Sequence, residues 1–355
     1  MDEFEITELL HKMAQAGGSD IYIAAWAPPR MNVEGRIQDL APDPLTPERT
    51  QKLIRQLLTE EQWAEFYRNR ELNMAFSLPQ VARFRVNVYF QRGTVAAVIR
   101  QIRMKIPDFE QLHLPSVLAG LIMSPRGLIL VTGATGTGKS TTMAAMIDHR
   151  ASLMEGHMVT VEDPIEYVFQ HRKSLITQRE VGIDTLSFKE ALKNTLRQSP
   201  NVIYIGELRD TETVEFALHS AETGHLVLAT LHSTNASQTI ERILNFFPKD
   251  YHSQILLQLS YNLKAIISQR LIPAESGVRW PVLEILINSA LVQELLQKAE
   301  LGQLKKVMEA GRQEGMQTFD IHLKELVEKG IISEEKALAH ADSPSDLRLK
   351  LRGFV

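Results

Sequence analysis

The run Gly133-Ala134-Thr135-Gly136-Thr137-Gly138-Lys139-Ser140 fits the pattern G-x-x-x-x-G-K-[ST], and no other stretch constrains the fold as strongly. An apolar run, 128–132, precedes it, and a helical pattern over 141–150, read as amphipathic, follows. The chemistry requires that context. Glycines let backbone N–H groups converge on phosphate oxygens, and the helix N-terminus adds the positive end of its dipole. Lys139 is placed to reach β- and γ-phosphates, and Ser140 to ligate Mg²⁺. With Thr141, this run is the expected nucleotide-binding loop for ATP and Mg²⁺.

Around the loop the sequence alternates strand, loop and helix. Buried-type strands are expected at 128–132, 158–162, 202–206 and 226–231, which implies a mostly parallel sheet covered on both faces. Ser187 with Glu190 reads as a capping box opening the helix before the third of these strands. From Tyr251 onward the pattern is mostly helical.

The first hundred residues differ. A helix over 4–16 carries the apolar stripe Ile6, Leu9, Leu10 and Met13 and stops at Gly17-Gly18. Short strands at 21–24 and 31–33 follow, with Glu34-Gly35 as a hairpin turn. Thr46 caps a helix that has Pro47 at its first position, and Thr59 with Gln62 makes a capping box for the next. Over 83–91 Phe84, Val86, Val88 and Phe90 face one way and Arg83, Arg85, Asn87 and Tyr89 the other. That strand pairs with 94–102 across Arg92-Gly93, so a small α+β domain presents arginines on the polar face of its sheet. The expected organisation is a first domain over 1–103, a linker over 104–112, an α/β core over 113–270 opened by a helix at 112–123, and a mostly helical region over 271–355.

A length of 355 residues suits about two domains, with 44% apolar and 23% charged residues sufficient for ordinary cores. The chain has no cysteine, which excludes disulfides, thiolate zinc sites and cysteine nucleophiles and suits a reducing cytoplasm. The net charge of −4 is without a basic stripe, so no nucleic-acid partner is expected. The acidic start Met1-Asp2-Glu3-Phe4-Glu5 lacks the basic and apolar regions of a signal peptide, and no apolar run approaches the roughly 18 residues of a membrane span. Membrane association is therefore expected only through partners or a surface.

Binding phosphate is not hydrolysing it; that requires a carboxylate to orient water and another at the metal. The strand at 202–206 leads into Glu207, although Gly206 stands where such strands usually carry aspartate. Glu162-Asp163-Pro164-Ile165-Glu166 follows the preceding strand at the same edge, where ligands of open α/β sheets gather. The alternative is that Asp163 and Glu166 only cap the turn at Pro164. His225 and His232 flank the strand 226–231 at opposite ends and on opposite faces, which does not suit a shared metal. His232 is placed to sense the γ-phosphate, and His225 reads as structural.

Taken together, Gly133–Ser140, 162–166, Gly206-Glu207-Leu208-Arg209-Asp210 and 221–232 resemble the Walker A, Asp box, Walker B and His box of the type II secretion/type IV pilus ATPases. Gly18-Ser19-Asp20 and Gly315-Met316-Gln317-Thr318-Phe319-Asp320 extend the resemblance nearly end to end. It implies a hexameric ring of subunits, each with an N-terminal PAS-like domain and a C-terminal RecA-like ATPase domain. It also implies Glu166 as the water-orienting base, Glu207 near Mg²⁺, and arginines of the N-terminal sheet completing the site on domain closure. Arg85 and Arg100 are the first choices and Arg83 the third; the alternative for each is a solvated strand residue.

Within the family the chain resembles the retraction branch, since it starts close to the first domain and lacks the four-cysteine zinc element of extension and secretion members. Where principal retraction ATPases (PilT-like) carry two arginines, in the stretch matching residues 291–298, this chain has Gln293 and Gln297. Its end, residues 337–349, also extends further. Both departures resemble the accessory, PilU-like retraction members. The resemblance implies twitching motility powered by ATP, a cytoplasmic ring peripheral to the inner membrane, and a platform protein and a PilT-like ATPase as partners. The competing expectations are a pilus-assembly or secretion ATPase, a RecA-like DNA translocase, and a ring-forming adaptor with vestigial activity.

Overall fold

The computed structural model describes residues 5–33, 35–79, 81–102 and 104–353. Phe4 of the first expected helix and Glu34 of the first expected hairpin turn lie outside them. The chain is α/β with two sheets and divides into two compact units, Met1–Lys105 with Glu166–Val168, and Ile106–Ile165 with Phe169–Val355.

The first unit contains α1 (Ile6–Gln15), β1 (Asp20–Ile23), β2 (Arg30–Val33), β3 (Arg36–Asp39), α2 (Pro47–Arg55), α3 (Glu60–Asn69), β4 (Glu71–Leu78), β5 (Ala82–Gln91) and β6 (Thr94–Ile102). Its antiparallel sheet runs β3-β2-β1-β6-β5-β4. Ile6, Leu9, Leu10 and Met13 of α1 are buried, as their spacing requires. Thr46 caps α2, and Thr59 with Gln62 forms the complete box on α3. β5 alternates as expected: Phe84, Val86 and Val88 are fully buried beneath the helices, and the arginines lie on the other face. Arg85 and Arg100 are direct neighbours in the β5–β6 register. Asp20, buried on β1, holds Arg100 at 2.7 Å. Arg85 makes no hydrogen bond or ion pair among the described residues.

The second unit contains α4 (Val117–Ile122), β7 (Gly127–Thr132), α5 (Lys139–Leu153), β8 (Gly156–Glu162), β9 (Ser174–Glu180), α6 (Phe188–Thr195), β10 (Val202–Ile205), α7 (Thr211–Glu222), β11 (Leu226–Leu231), α8 (Ala236–Leu244) and α9 (His252–Asn262). After these come β12 (Leu263–Pro273), β13 (Arg279–Ile287), α10 (Ala290–Gln297), α11 (Leu304–Ala310), α12 (Phe319–Glu328), α13 (Glu334–His340) and α14 (Pro344–Leu351). The sheet order is β13-β12-β7-β11-β10-β8-β9, parallel except for the β12–β13 pair. β7, β10 and β11 are buried at every position, which is why they read as continuous apolar runs.

Four expectations are corrected. The run after Tyr251 is not mostly helical until residue 290: β12 and β13 form a long hairpin on the sheet edge, and a break at 270/271 would cut β12. Its Leu, Ile and Val content supports either period, and pairing with β7 decides. The helix expected at 112–123 is confined to Val117–Ile122, because Pro115 disfavours helix before it and His113 takes a left-handed φ of 54°. α5 is not amphipathic, being buried on most sides. Of the expected Ser187–Glu190 box only the Ser187 half is made.

One buried acid lies under α8. Glu284 of β13 accepts the backbone N–H of Ala236, the first residue of α8, at 2.7 Å. Burial pushes its carboxyl from 4.5 up to about 7, against the lowering effect of that N–H. With the folded value above the unfolded one, the stabilising contribution is full below about pH 4.5 and is lost as pH rises to about 7. Glu284→Gln keeps the acceptor but cannot ionise. Relative to the parent, it should gain on the order of 3 kcal/mol between pH 4.5 and 7.5 in urea unfolding. Parallel pH profiles for the two proteins would refute the assignment.

Candidate nucleotide site

The carboxyl ends of β7, β8, β10 and β11 lie side by side because the register pairs Thr132 with Leu231, Ile205 with Ala229, and Ile205 with Val161. Each strand delivers one piece of chemistry at that edge: the glycine loop after β7, Glu162-Asp163 at β8, Gly206-Glu207 after β10, and His232 after β11.

The loop fits a phosphate group. Gly133 has φ 151°, and a Cβ there would lie 2.5 Å from both the Gln269 carbonyl and Thr137 Oγ1. Gly138 has φ 86° and forms the N-terminus of α5. Only glycine allows the backbone to close this tightly, at the start of a fifteen-residue helix whose N-terminus favours an anion. Lys139 is buried, with Nζ bonded to the carbonyls of Gly133 at 3.0 Å and Ala134 at 2.9 Å.

A line of polar contacts runs from this lysine. His232 Nδ1 lies 3.4 Å from Lys139 Nζ and 3.3 Å from the Gly133 carbonyl, and His232 Nε2 lies 3.3 Å from Glu207 Oε1. The other Glu207 oxygen accepts from Arg209 Nε at 2.7 Å, and Arg209 Nη1 donates to Asp163 at 2.9 Å. Its hydrogen bond to Glu207, and then that to Asp163, holds the Arg209 guanidinium above its usual range. Lys139, His232 and Glu207 are thus brought together, with Arg209 as a further member that no sequence pattern singles out. A Cβ on Gly206 would approach Glu162 Cα and the Val161 carbonyl to 3.2 Å each, so any side chain there would press on the neighbouring strand.

Other residues are placed differently. Glu162 is buried and accepts from Thr160 Oγ1 at 2.6 Å and Gln178 Nε2 at 3.1 Å, so its carboxylate is engaged within the fold. Glu166 is exposed, is grouped with the first unit, and makes no hydrogen bond or ion pair among the described residues. His225 Nδ1 lies 3.1 Å from the Ser220 carbonyl at the end of α7, a structural position at the far end of β11.

Two features escaped the sequence. A cleft of about 340 Å³ adjoins the loop at Gly138 and Thr141, walled by Leu112, Leu114, Leu271 and Pro281. Its apolar walls beside a phosphate cradle suit a nucleoside. Gln269 of β12, 3% exposed, bonds both the loop and α5. The signal that could have found it is the polar triple Ser268-Gln269-Arg270 inside an otherwise apolar run.

Comparison with known proteins identifies the family. The family model described as "Type II/IV secretion system protein" matches residues 3–340. The chain is 49% identical over 349 residues to the type IV pilus ATPase PilU of Pseudomonas aeruginosa, covering 98% of this chain and 91% of that one. It is 41% identical over 342 residues to the retraction ATPase PilT of the same organism, covering 96% and 99%. Among solved structures, that of the pilus retraction motor PilT with bound ADP superposes with a TM-score of 0.91 at 43% identity, covering 97% of this chain and 99% of that one. On its motifs, its fold and these likenesses, the chain belongs to the type II/IV secretion system protein family.

Proposed function

We propose that this chain is an ATP-hydrolysing motor subunit that powers type IV pilus retraction, acting as an accessory to a second retraction ATPase. The observation that carries the reading is the line Lys139–His232–Glu207 at a complete phosphate loop, in a chain similar along 98% of its length to a pilus ATPase. In this reading Lys139 and the loop N–H groups hold the β- and γ-phosphates, and the apolar cleft beside Gly138 takes the base. Ser140 and Glu207 would hold Mg²⁺, which when bound neutralises phosphate charge and polarises the bond that breaks. Glu166 orients the attacking water. His232 ties the γ-phosphate end of the loop to Glu207, and through Arg209 to Asp163. Arg85, before Arg100 and Arg83, adds positive charge in the transition state; it makes no ion pair among the described residues, whereas Arg100 is already engaged by Asp20.

The antiparallel sheet of the first unit supports a PAS-like description and the second a RecA-like one. The working form is a hexamer at the cytoplasmic side of the inner membrane, held there by a platform protein; no helix among the described residues is long and apolar enough to cross a membrane. Gln293 and Gln297, in α10 where two arginines mark the principal motors, support the accessory role. The deciding experiment measures retraction in cells lacking this gene, the principal retraction ATPase, or both, with restoration of this chain. Restored retraction only when the principal ATPase is present is expected. Full retraction by this chain alone would refute the accessory role, and no effect of its loss in any background would refute the motor role.

A further inference from the structure

Gln269 lies on β12 immediately after Ser268, which pairs with Thr132 at the end of β7. The strand therefore runs past the sheet edge directly beside the phosphate loop. The side chain is 3% exposed, and a buried amide must place both its donor and its acceptor. Nε2 donates to the Thr137 carbonyl at 2.8 Å, and Oε1 accepts from Thr142 Oγ1 at 2.7 Å. One amide orientation satisfies both bonds, and the reverse orientation would set Oε1 against the Thr137 carbonyl with no donor between them.

The bond to Thr137 has a consequence one atom further on. In a planar trans peptide the C=O and the next N–H point in opposite directions. Holding the Thr137 carbonyl toward β12 turns the Gly138 N–H away from β12, and this N–H belongs to the set a phosphate loop presents to its anion. The bond to Thr142 fixes the same amide to the first turn of α5, so loop and helix N-terminus are set together. The two glycines complete the fit: a Cβ on Gly133 would lie 2.5 Å from the Gln269 carbonyl, and one on Gly138 would lie 2.9 Å from Nε2. Gln269 fills the space both glycines leave, its backbone at one end of the loop and its side chain at the other.

We infer that Gln269 is the positioning residue of the phosphate loop, orienting the Gly138 N–H and the start of α5 for the β-phosphate without itself contacting nucleotide phosphate. The inference rests on the loop being a nucleotide site, and its test separates the two. The full chain would be titrated with ADP and with adenosine, alongside thermal unfolding. Gln269→Leu keeps the bulk and loses both bonds; because Gln269 also borders the cleft, the readout is selectivity, and ADP should weaken at least about tenfold more than adenosine. Thr142→Val frees only the acceptor side and should weaken ADP about threefold more than adenosine. If Gln269→Leu binds ADP like the parent, or loses ADP and adenosine equally, the positioning role is overturned. If Gln269→Leu does not fold, Thr142→Val decides: selective ADP weakening supports the role and parent-like binding overturns it. Lys139→Ala is the control. Parent-like ADP binding by that variant would refute the phosphate-loop reading itself, and the inference with it.

Discussion

Lys139→Ala is expected to lower ATP turnover by at least about a hundredfold in a phosphate-release assay, the range seen when one preorganised charge is removed from a site of developing negative charge. The ammonium is buried and held by the Gly133 and Ala134 carbonyls, so it meets phosphate already desolvated and oriented. The variant should remain folded, since the loop retains Gln269 Nε2 on Thr137 and the Thr137 Oγ1 bond to Ala134. Turnover within threefold of the parent would place the nucleotide elsewhere.

The second large effect separates the two carboxylates. Glu166→Gln should lower kcat by about 10²- to 10³-fold with KM and ADP affinity unchanged, because an amide cannot accept the proton of the attacking water. Glu207→Gln weakens the ion pair to Arg209 and the contact to His232. It should cost roughly tenfold or more and move half-maximal activity to higher Mg²⁺ concentration, as removal of a metal-side carboxylate does. Magnesium titrations of both variants distinguish these roles. If Glu166→Gln keeps parental kcat while Glu207→Gln loses it without a magnesium shift, Glu207 is the base and the assignments exchange.

What the sequence made legible is local chemistry. The glycine loop, its strand and its helix are contiguous, so spacing alone specifies them; the same holds for the α1 stripe, the caps at Thr46 and Thr59, and the β5 alternation. Glu207 and His232 were legible because each follows a buried strand, and parallel neighbours share an edge. The contribution of β12 was not. Its role depends on a register between residues some 130 positions apart, such as Thr132 with Ser268, and no local pattern encodes that partner. The apolar cleft escaped for the same reason, since its walls come from 112–114, 138–142 and 269–281. Nothing in the motif around Arg209 marks it out; its bridging position follows from Asp163 and Glu207 ending neighbouring regions of the sheet edge.

The placement of β7 between β11 and β12 also bears on how the chain acquires its site. The strand that carries the phosphate loop finds its two partners about 100 and 135 residues later, at Leu226–Leu231 and Leu263–Pro273. Closing such long loops costs entropy before any pairing repays it, so assembly of this sheet is slow and non-local. During synthesis the loop sequence leaves the ribosome well before the residues that shape it, and Gln269 arrives near the end of that interval. The residues that shape the loop are therefore all present in the nascent chain only once β12 has been made.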